Sequence, residues 1–218
     1  WDASPRIRAS YALGQPGAQP KLKAGAGFFH QPPQPEEVVP GYGTQKLESS
    51  RAFQTSLGVE QRLFDAFDVN VEGYYSKLTK LVESAADAQG SVRFVNQGEG
   101  HTYGLESLLR YDESGADVYG WLAYTLSRSM RRPDTHGSYE LAYWDQTHIL
   151  TALGSYRLGR GWELGARFQY VSGMPYTPVV RSLYGSASDS YVPVYGERSS
   201  RRFPAYHQLD LRAEKHWQ

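Results

Sequence analysis

The 218-residue chain has no cysteine, so it can build no disulfide, thiolate metal site or Cys nucleophile. It also lacks a charge excess: 23 Lys and Arg balance 23 Asp and Glu, for a formal net charge of zero. A surface that neutralises phosphates along a nucleic acid needs a basic surplus, so no nucleic-acid partner is expected. Long apolar runs are missing too. Nothing approaches the roughly 18 residues of a membrane-spanning helix, and mean hydropathy is −0.58. No charged-then-apolar leader opens the chain, which starts at Trp1 as a processed or excised segment would.

Aromatics and glycine are what is abundant: 17 Tyr, 5 Trp and 8 Phe beside 22 Gly and 12 Pro, a β-rich composition. Period-2 alternation, the signature of a strand with two unlike faces, is unusually regular. Phe53, Leu57, Val59 and Leu63 alternate with Gln54, Ser56, Gly58, Glu60 and Arg62. Tyr103, Leu105, Leu109 and Tyr111 alternate with Thr102, Gly104, Glu106 and Arg110; Trp162, Leu164, Ala166, Phe168 and Tyr170 with Glu163, Gly165, Arg167 and Gln169. His207, Leu209, Leu211 and Ala213 alternate with Gln208, Asp210, Arg212 and Glu214. Weaker copies run through Ile7–Leu13, Leu22–Phe28 and Val69–Tyr75, while Val118–Ser127 and Thr147–Leu158 are apolar on both faces in places. The count is nine strands, from Pro5–Leu13 to His207–Trp217.

The connections sort themselves. Gly14–Pro20, Phe64–Asp68, Asp112–Asp117 and Gly159–Gly161 are short; His30–Ser50, Val82–Gly100, Arg128–Gln146 and Val171–Tyr206 are long, and the two kinds alternate. Outer-membrane barrels have this arrangement, with short periplasmic turns and long extracellular loops. In such a barrel the apolar face meets lipid, here Phe53, Leu57, Val59, Leu105, Leu109, Leu164, Phe168, Leu209 and Leu211. Tyr11, Tyr75, Tyr103, Tyr111, Trp162, Tyr170 and Trp217 stand at strand ends, where interfacial aromatic girdles belong. The expected fold is all-β: an antiparallel up-and-down transmembrane β-barrel segment. The alternatives are a small porin-like or adhesive barrel and a soluble β-rich binding module.

Several stretches, in order along nearly the whole chain, carry a family resemblance. They are His30-Gln31-Pro32-Pro33-Gln34-Pro35; Leu47-Glu48-Ser49-Ser50 leading to Leu57-Gly58-Val59-Glu60; Asn96-Gln97-Gly98-Glu99-Gly100 followed by Tyr103-Gly104-Leu105-Glu106; Tyr124-Thr125-Leu126-Ser127; Asp145-Gln146-Thr147-His148; Ser172-Gly173-Met174-Pro175-Tyr176; and Arg202-Phe203-Pro204-Ala205-Tyr206. Together they resemble the C-terminal barrel half of a TonB-dependent outer-membrane receptor, with Ser49 where the family usually has Pro. The resemblance implies a 22-stranded barrel, a plug domain, a TonB box and coupling to the TonB–ExbB–ExbD complex. It also implies uptake of a scarce nutrient such as a ferric siderophore, cobalamin or an oligomer. Plug and final strands fall outside residues 1–218, so the chain reads as a fragment of a barrel domain. Outer-membrane lipid and lipopolysaccharide are the expected surroundings.

Catalytic signals are weak. His101, His136, His148, His207 and His216 show no metal-ligand spacing, and neither a metal nor a cofactor is expected. Ser172, His148 and Asp145 are the residue types of a hydrolytic triad, without the Gly-x-Ser-x-Gly elbow. The chain is not expected to be an enzyme. Gly25-Ala26-Gly27, Gly41-Tyr42-Gly43 and Gly98-Glu99-Gly100 open no helix after a strand, so they support no nucleotide site. Arg131-Arg132 and Arg201-Arg202 read as solvated loop charge, with anion binding as the alternative. The candidate substrate contacts are the long-loop aromatics Tyr42, Tyr139, Tyr143, Trp144, Tyr176 and Tyr184, with Tyr191 and Tyr195 beside them, because Tyr and Trp offer rigid amphipathic contact area.

Overall fold

A computed structural model describes residues 2–14, 19–40, 43–86, 92–113, 115–187 and 189–217. The alternating segments form β1 (Arg6–Ala12), β2 (Lys21–Gln31), β3 (Ser50–Leu63), β4 (Phe67–Ala86), β5 (Val92–Asp112) and β6 (Val118–Arg132). After them come β7 (Glu140–Leu141), β8 (His148–Gly159), β9 (Trp162–Val171), β10 (Pro175–Tyr176), β11 (Val179–Gly185), β12 (Ser190–Tyr195), β13 (Arg201–Arg202) and β14 (Tyr206–Lys215). One antiparallel sheet runs β1-β2-β3-β4-β5-β6-β8-β9-β14, with the short β7 attached to β6. The nine expected strands are its nine members in order. Among the described residues β1 and β14 do not pair with each other, so the ring of a small closed barrel does not form.

The register confirms the faces. Leu22, Val59, Val71, Ser107, Tyr124, Leu150, Tyr170 and His207 follow one another across the sheet as direct cross-strand partners. The next row is Gln61, Val69, Leu109, Leu122, Ala152, Phe168 and Leu209. A one-residue slip anywhere would move an entire strand's side chains to the other face. The apolar face is uncovered: Leu57 is 67% and Leu211 78% exposed, while the buried hydrophobics among the described residues are Ala66 and Ala142. Accessible surface is 15355 Å², against about 10,000 Å² for a globular monomer of 24.5 kDa. A sheet wall with no core of its own accounts for the excess.

Rings on the apolar face mark two borders. Phe67 and Tyr75, Tyr103 and Tyr111, His148 and Tyr156, and Trp162 and Tyr170 are each eight residues apart on one strand. Both borders step toward the short turns from β4 to β9, as strand tilt in a barrel wall requires.

At the short-turn end, Leu63 to Ala66 close a turn whose Ala66 N–H donates to the Leu63 carbonyl at 3.2 Å. Phe64 and Asp65 stand at φ of 50° and 54°, the geometry of a type I′ hairpin turn. At the opposite end the expected loop boundaries are corrected. Residues 82–100 are not a long loop, because β4 and β5 continue to Ala86 and from Val92 and only 87–91 separate them. The polar residues that hid these strands find partners there: Glu83 pairs with Arg131, Glu99 with Arg132. A bulge at Lys80, φ 57°, shifts the register on the way. The loop after β2 holds a single helical turn, α1 (Pro35–Val38), whose Gln34 N–H donates to Glu37 Oε2 at 2.7 Å. The last long connection is built as well: β10 pairs with β13, and β11 with β12 as a separate hairpin.

Candidate functional site

Two polar knots organise the long-loop end. In the first, the Asn96 amide behaves like a strand edge toward Glu48. Asn96 Oδ1 accepts from the Glu48 N–H at 2.7 Å, and Nδ2 donates to the Glu48 carbonyl at 2.9 Å. The second amide hydrogen reaches the Lys80 carbonyl at 2.9 Å, so the bulge carbonyl is satisfied. Ser50 Oγ donates to that carbonyl also, at 3.1 Å, and Lys80 Nζ pairs with the Glu48 carboxylate. Higher on β5, the Phe94 N–H donates to Thr44 Oγ1 at 3.2 Å. The loop after β2 is thereby fastened along the tall β4–β5 hairpin.

The second knot centres on Asp145, whose side chain is fully buried. Its Oδ1 accepts the Ser129 N–H at 2.6 Å; its Oδ2 accepts Thr147 Oγ1 at 3.0 Å and Arg202 Nη2 at 2.5 Å. Arg202 Nη1 donates to the carbonyls of Gly173, at 2.9 Å, and Asp145, at 3.2 Å. A buried carboxylate is tolerable only when paired and hydrogen-bonded, and here every oxygen is engaged. Gly173 belongs to the same junction: a Cβ there would meet the Phe203 carbonyl oxygen at 1.7 Å, so only glycine lets the two chains pass. The knot ties β6, the loop before β8 and the loop before β14 together.

The sequence candidates are placed as follows. Tyr42 lies outside the described residues. Tyr139 packs edge-on against His101, ring centroids 4.7 Å apart, with the Arg132 guanidinium 4.7 Å from its own ring. Tyr143 and Trp144 form a T-shaped pair at 4.5 Å, and Arg131 lies 5.4 Å from the Trp144 ring. Tyr176 packs on Phe203 at 4.6 Å. Tyr184 packs at a tilt against Tyr191, ring centroids 5.4 Å apart, on the β11–β12 hairpin, and its hydroxyl donates to Asp189 Oδ1 at 2.6 Å, which pushes the Tyr184 phenol above its ordinary pKa. Apart from the Tyr143–Trp144 pair, no ring contact among the described residues joins one candidate to another.

The arginine pairs are not solvated charge: Arg131, Arg132 and Arg202 are held by Glu83, Glu99 and Asp145, leaving Arg201 exposed on β13. Ser172, His148 and Asp145 form no relay. The His148 backbone N–H donates to Ser172 Oγ at 3.0 Å, its ring Nδ1 meets the Tyr124 hydroxyl at 2.8 Å, and Asp145 is occupied by Arg202. No three of the described His, Asp and Glu residues gather where a metal ion could sit.

On the polar face, the stretch Tyr103 to Glu106 divides its work by parity. Tyr103 and Leu105 stand on the apolar face, while Gly104 makes room for the Tyr74 ring opposite it. A Cβ on Gly104 would meet Tyr74 Oη at 2.7 Å and the Leu126 carbonyl at 2.4 Å. Glu106 lies directly across from Glu72, two carboxylates side by side with no ion pair among the described residues.

A wall of this kind, apolar and ring-bordered on one face, charged on the other and uncovered on both, defines a portion of a transmembrane β-barrel. The family model for "TonB dependent receptor-like, beta-barrel" matches residues 1–218, and the chain belongs to that family. This places it in the outer membrane of Gram-negative bacteria. Similar solved structures include the FrpB iron transporter from Neisseria meningitidis, 14% identical with a TM-score of 0.66, covering 98% of this chain and 32% of that one. The ferripyoverdine receptor of the outer membrane of Pseudomonas aeruginosa, bound to ferripyoverdine, is 14% identical with a TM-score of 0.65, covering 96% and 26%. The copper transporter OprC is 14% identical with a TM-score of 0.65, covering 97% and 31%. This chain therefore spans about a third of the length of the structures it matches. No curated protein sequence matches it.

Proposed function

We propose that this chain is the wall segment of a TonB-dependent active transporter that brings a scarce nutrient across the outer membrane. The nutrient is a ferric siderophore, cobalamin or an oligomer; the iron, ferripyoverdine and copper named for the similar structures favour a metal or metal chelate. In this reading the remaining strands, plug and TonB box lie on polypeptide outside residues 1–218, and TonB–ExbB–ExbD supplies the energy. Tyr42, Tyr139, Tyr143, Trp144, Tyr176 and Tyr184 act as capture residues in the external loops.

Family membership over the whole chain carries the reading. The polar face supports it physically. Like charges directly opposite on a sheet destabilise it, so Glu72 and Glu106 call for cations from whatever fills the lumen, as a protein plug can supply. The test is uptake of radiolabelled ferric siderophore by cells expressing the full polypeptide, with and without TonB. Uptake is expected to vanish without TonB while surface binding persists. Equal uptake in both strains overturns the proposal.

A further inference from the structure

The last long connection carries a hairpin that stands apart from the wall. Among the described residues β11 and β12 pair with each other alone, as a sheet of their own. An isolated two-stranded hairpin is marginally stable in water, and a chain without cysteine has no disulfide to fasten one. The side chains of this hairpin offer a different fastener.

Tyr184 and Tyr191 are direct cross-strand partners. Their ring centroids lie 5.4 Å apart at an interplanar angle of 59°. The chain has 17 tyrosines, yet this is the one Tyr–Tyr ring contact among the described residues. The ladder explains the closeness. Pro193 has no N–H to give, and the Gly196 N–H donates across the hairpin to the Pro178 carbonyl at 2.8 Å. Odd-numbered β12 residues, Tyr191 included, therefore take the non-hydrogen-bonded positions, where opposed side chains come closest. Both rings are open to reagents, at 57% and 73% exposure. Tyr184 also has a proton acceptor in place, since its hydroxyl donates to Asp189 Oδ1 at 2.6 Å.

A phenol that gives up one electron becomes a strong acid, so a carboxylate on its hydroxyl takes the proton as the electron leaves. The phenoxyl that results carries spin on the carbons ortho to oxygen, at the ring edge. We propose that Tyr184 and Tyr191 are a modification site, coupled into dityrosine by one-electron oxidants of the haem peroxidase class acting with hydrogen peroxide. Each ring loses one electron and its phenolic proton, Tyr184 to Asp189 and Tyr191 to water. A carbon–carbon bond then forms between the two ortho carbons, and the hydrogen on each shifts to its oxygen, restoring two phenols. The pair has lost two hydrogens, and one hydrogen peroxide has become two waters. The new bond fixes β11 to β12. The inference stands on the hairpin alone and does not depend on the transporter reading.

The test treats the full polypeptide, folded in neutral detergent and dilute, with a haem peroxidase and hydrogen peroxide. Trypsin releases the stretch from Ser182 to Arg198, and a protease that cuts before Asp189 splits it between the two tyrosines. In the wild type the two pieces should stay joined, lighter by two hydrogens and showing the blue fluorescence of dityrosine. Y184F and Y191F should each lose the link while keeping the heat-modifiable gel mobility of a folded barrel. D189N, read by fluorescence because it removes the cleavage site, should slow coupling at least about tenfold. Pieces that separate in the wild type overturn the site, as does a link that forms as readily in the urea-unfolded chain. A yield that falls on dilution marks coupling between molecules and overturns it too. Undiminished fluorescence in Y184F or Y191F places the coupling elsewhere, and D189N at the wild-type rate overturns the part assigned to Asp189.

Discussion

At the scale of single residues, a few side chains hold the long-loop end together, and their loss should be measurable. Asn96 makes three hydrogen bonds to the backbone of two other segments. N96A should lower stability by about 2–3 kcal/mol, read as a shift in urea midpoint, and should speed proteolysis within residues 43–49. N96D keeps the acceptor for the Glu48 N–H but turns a carboxylate toward two carbonyls, so it should be no better. Asp134, in the loop after β6, accepts the His136 and Gly137 N–H groups at 2.7 Å each, and these hold its carboxyl below the ordinary value of 3.8. A depressed folded pKa stabilises the turn fully above the ordinary value and loses that contribution as pH falls through the folded one. Hydrogen-exchange protection of the Gly137 amide should therefore drop below pH 3.8 in the native chain and not in D134N. An unchanged profile in both would show that the turn does not depend on the charge.

At the scale of elements, the two faces should respond in opposite ways to charge. Arg at a lipid-facing midplane position costs about 2–4 kcal/mol. V71R, midway between the border rings Phe67 and Tyr75 on β4, should show that loss in unfolding from lipid vesicles. E106R should cost far less, since it separates two like charges and gives Glu72 a partner. Equal losses would mean the faces are assigned the wrong way round. The strands themselves were legible in sequence because alternation is a local property: a lipid face and a polar face repeat every two residues along one segment. The upper halves of β4 and β5 were not, because Glu83, Asn96 and Glu99 are satisfied by Arg131, Glu48 and Arg132 rather than by a pattern. The Asp145–Arg202 knot was hidden for the same reason: its partners lie 57 positions apart, and nothing local announces them. Both ends of each knot nevertheless fall inside stretches that carried the family resemblance, which gives those residues a physical reason to recur together.

At the scale of the whole molecule, topology predicts sidedness. A cysteine at Ser138, between β6 and β7, should react with an impermeant thiol reagent on intact cells, and one at Glu113, in a short turn, should not; the chain's lack of cysteine leaves no background. Reversed labelling would invert the molecule. The outer edges of β1 and β14 face no partner in this sheet, and unpaired backbone in hydrocarbon costs several kcal/mol per group, so in the membrane other strands must cover them.

The paired rings eight residues apart also act as a ruler. Eight residues of strand advance about 27 Å, and a tilt of roughly 35–45° leaves about 19–22 Å between ring borders. The outer membrane is thinner than most bilayers, whereas an average hydrocarbon layer is about 30 Å thick, and each ångström of mismatch costs a fraction of a kcal/mol. Around a full circumference that mismatch would amount to several kcal/mol. By ring spacing alone, before any receptor reads an address, this wall is cut to the thickness of one membrane and sorted away from thicker ones.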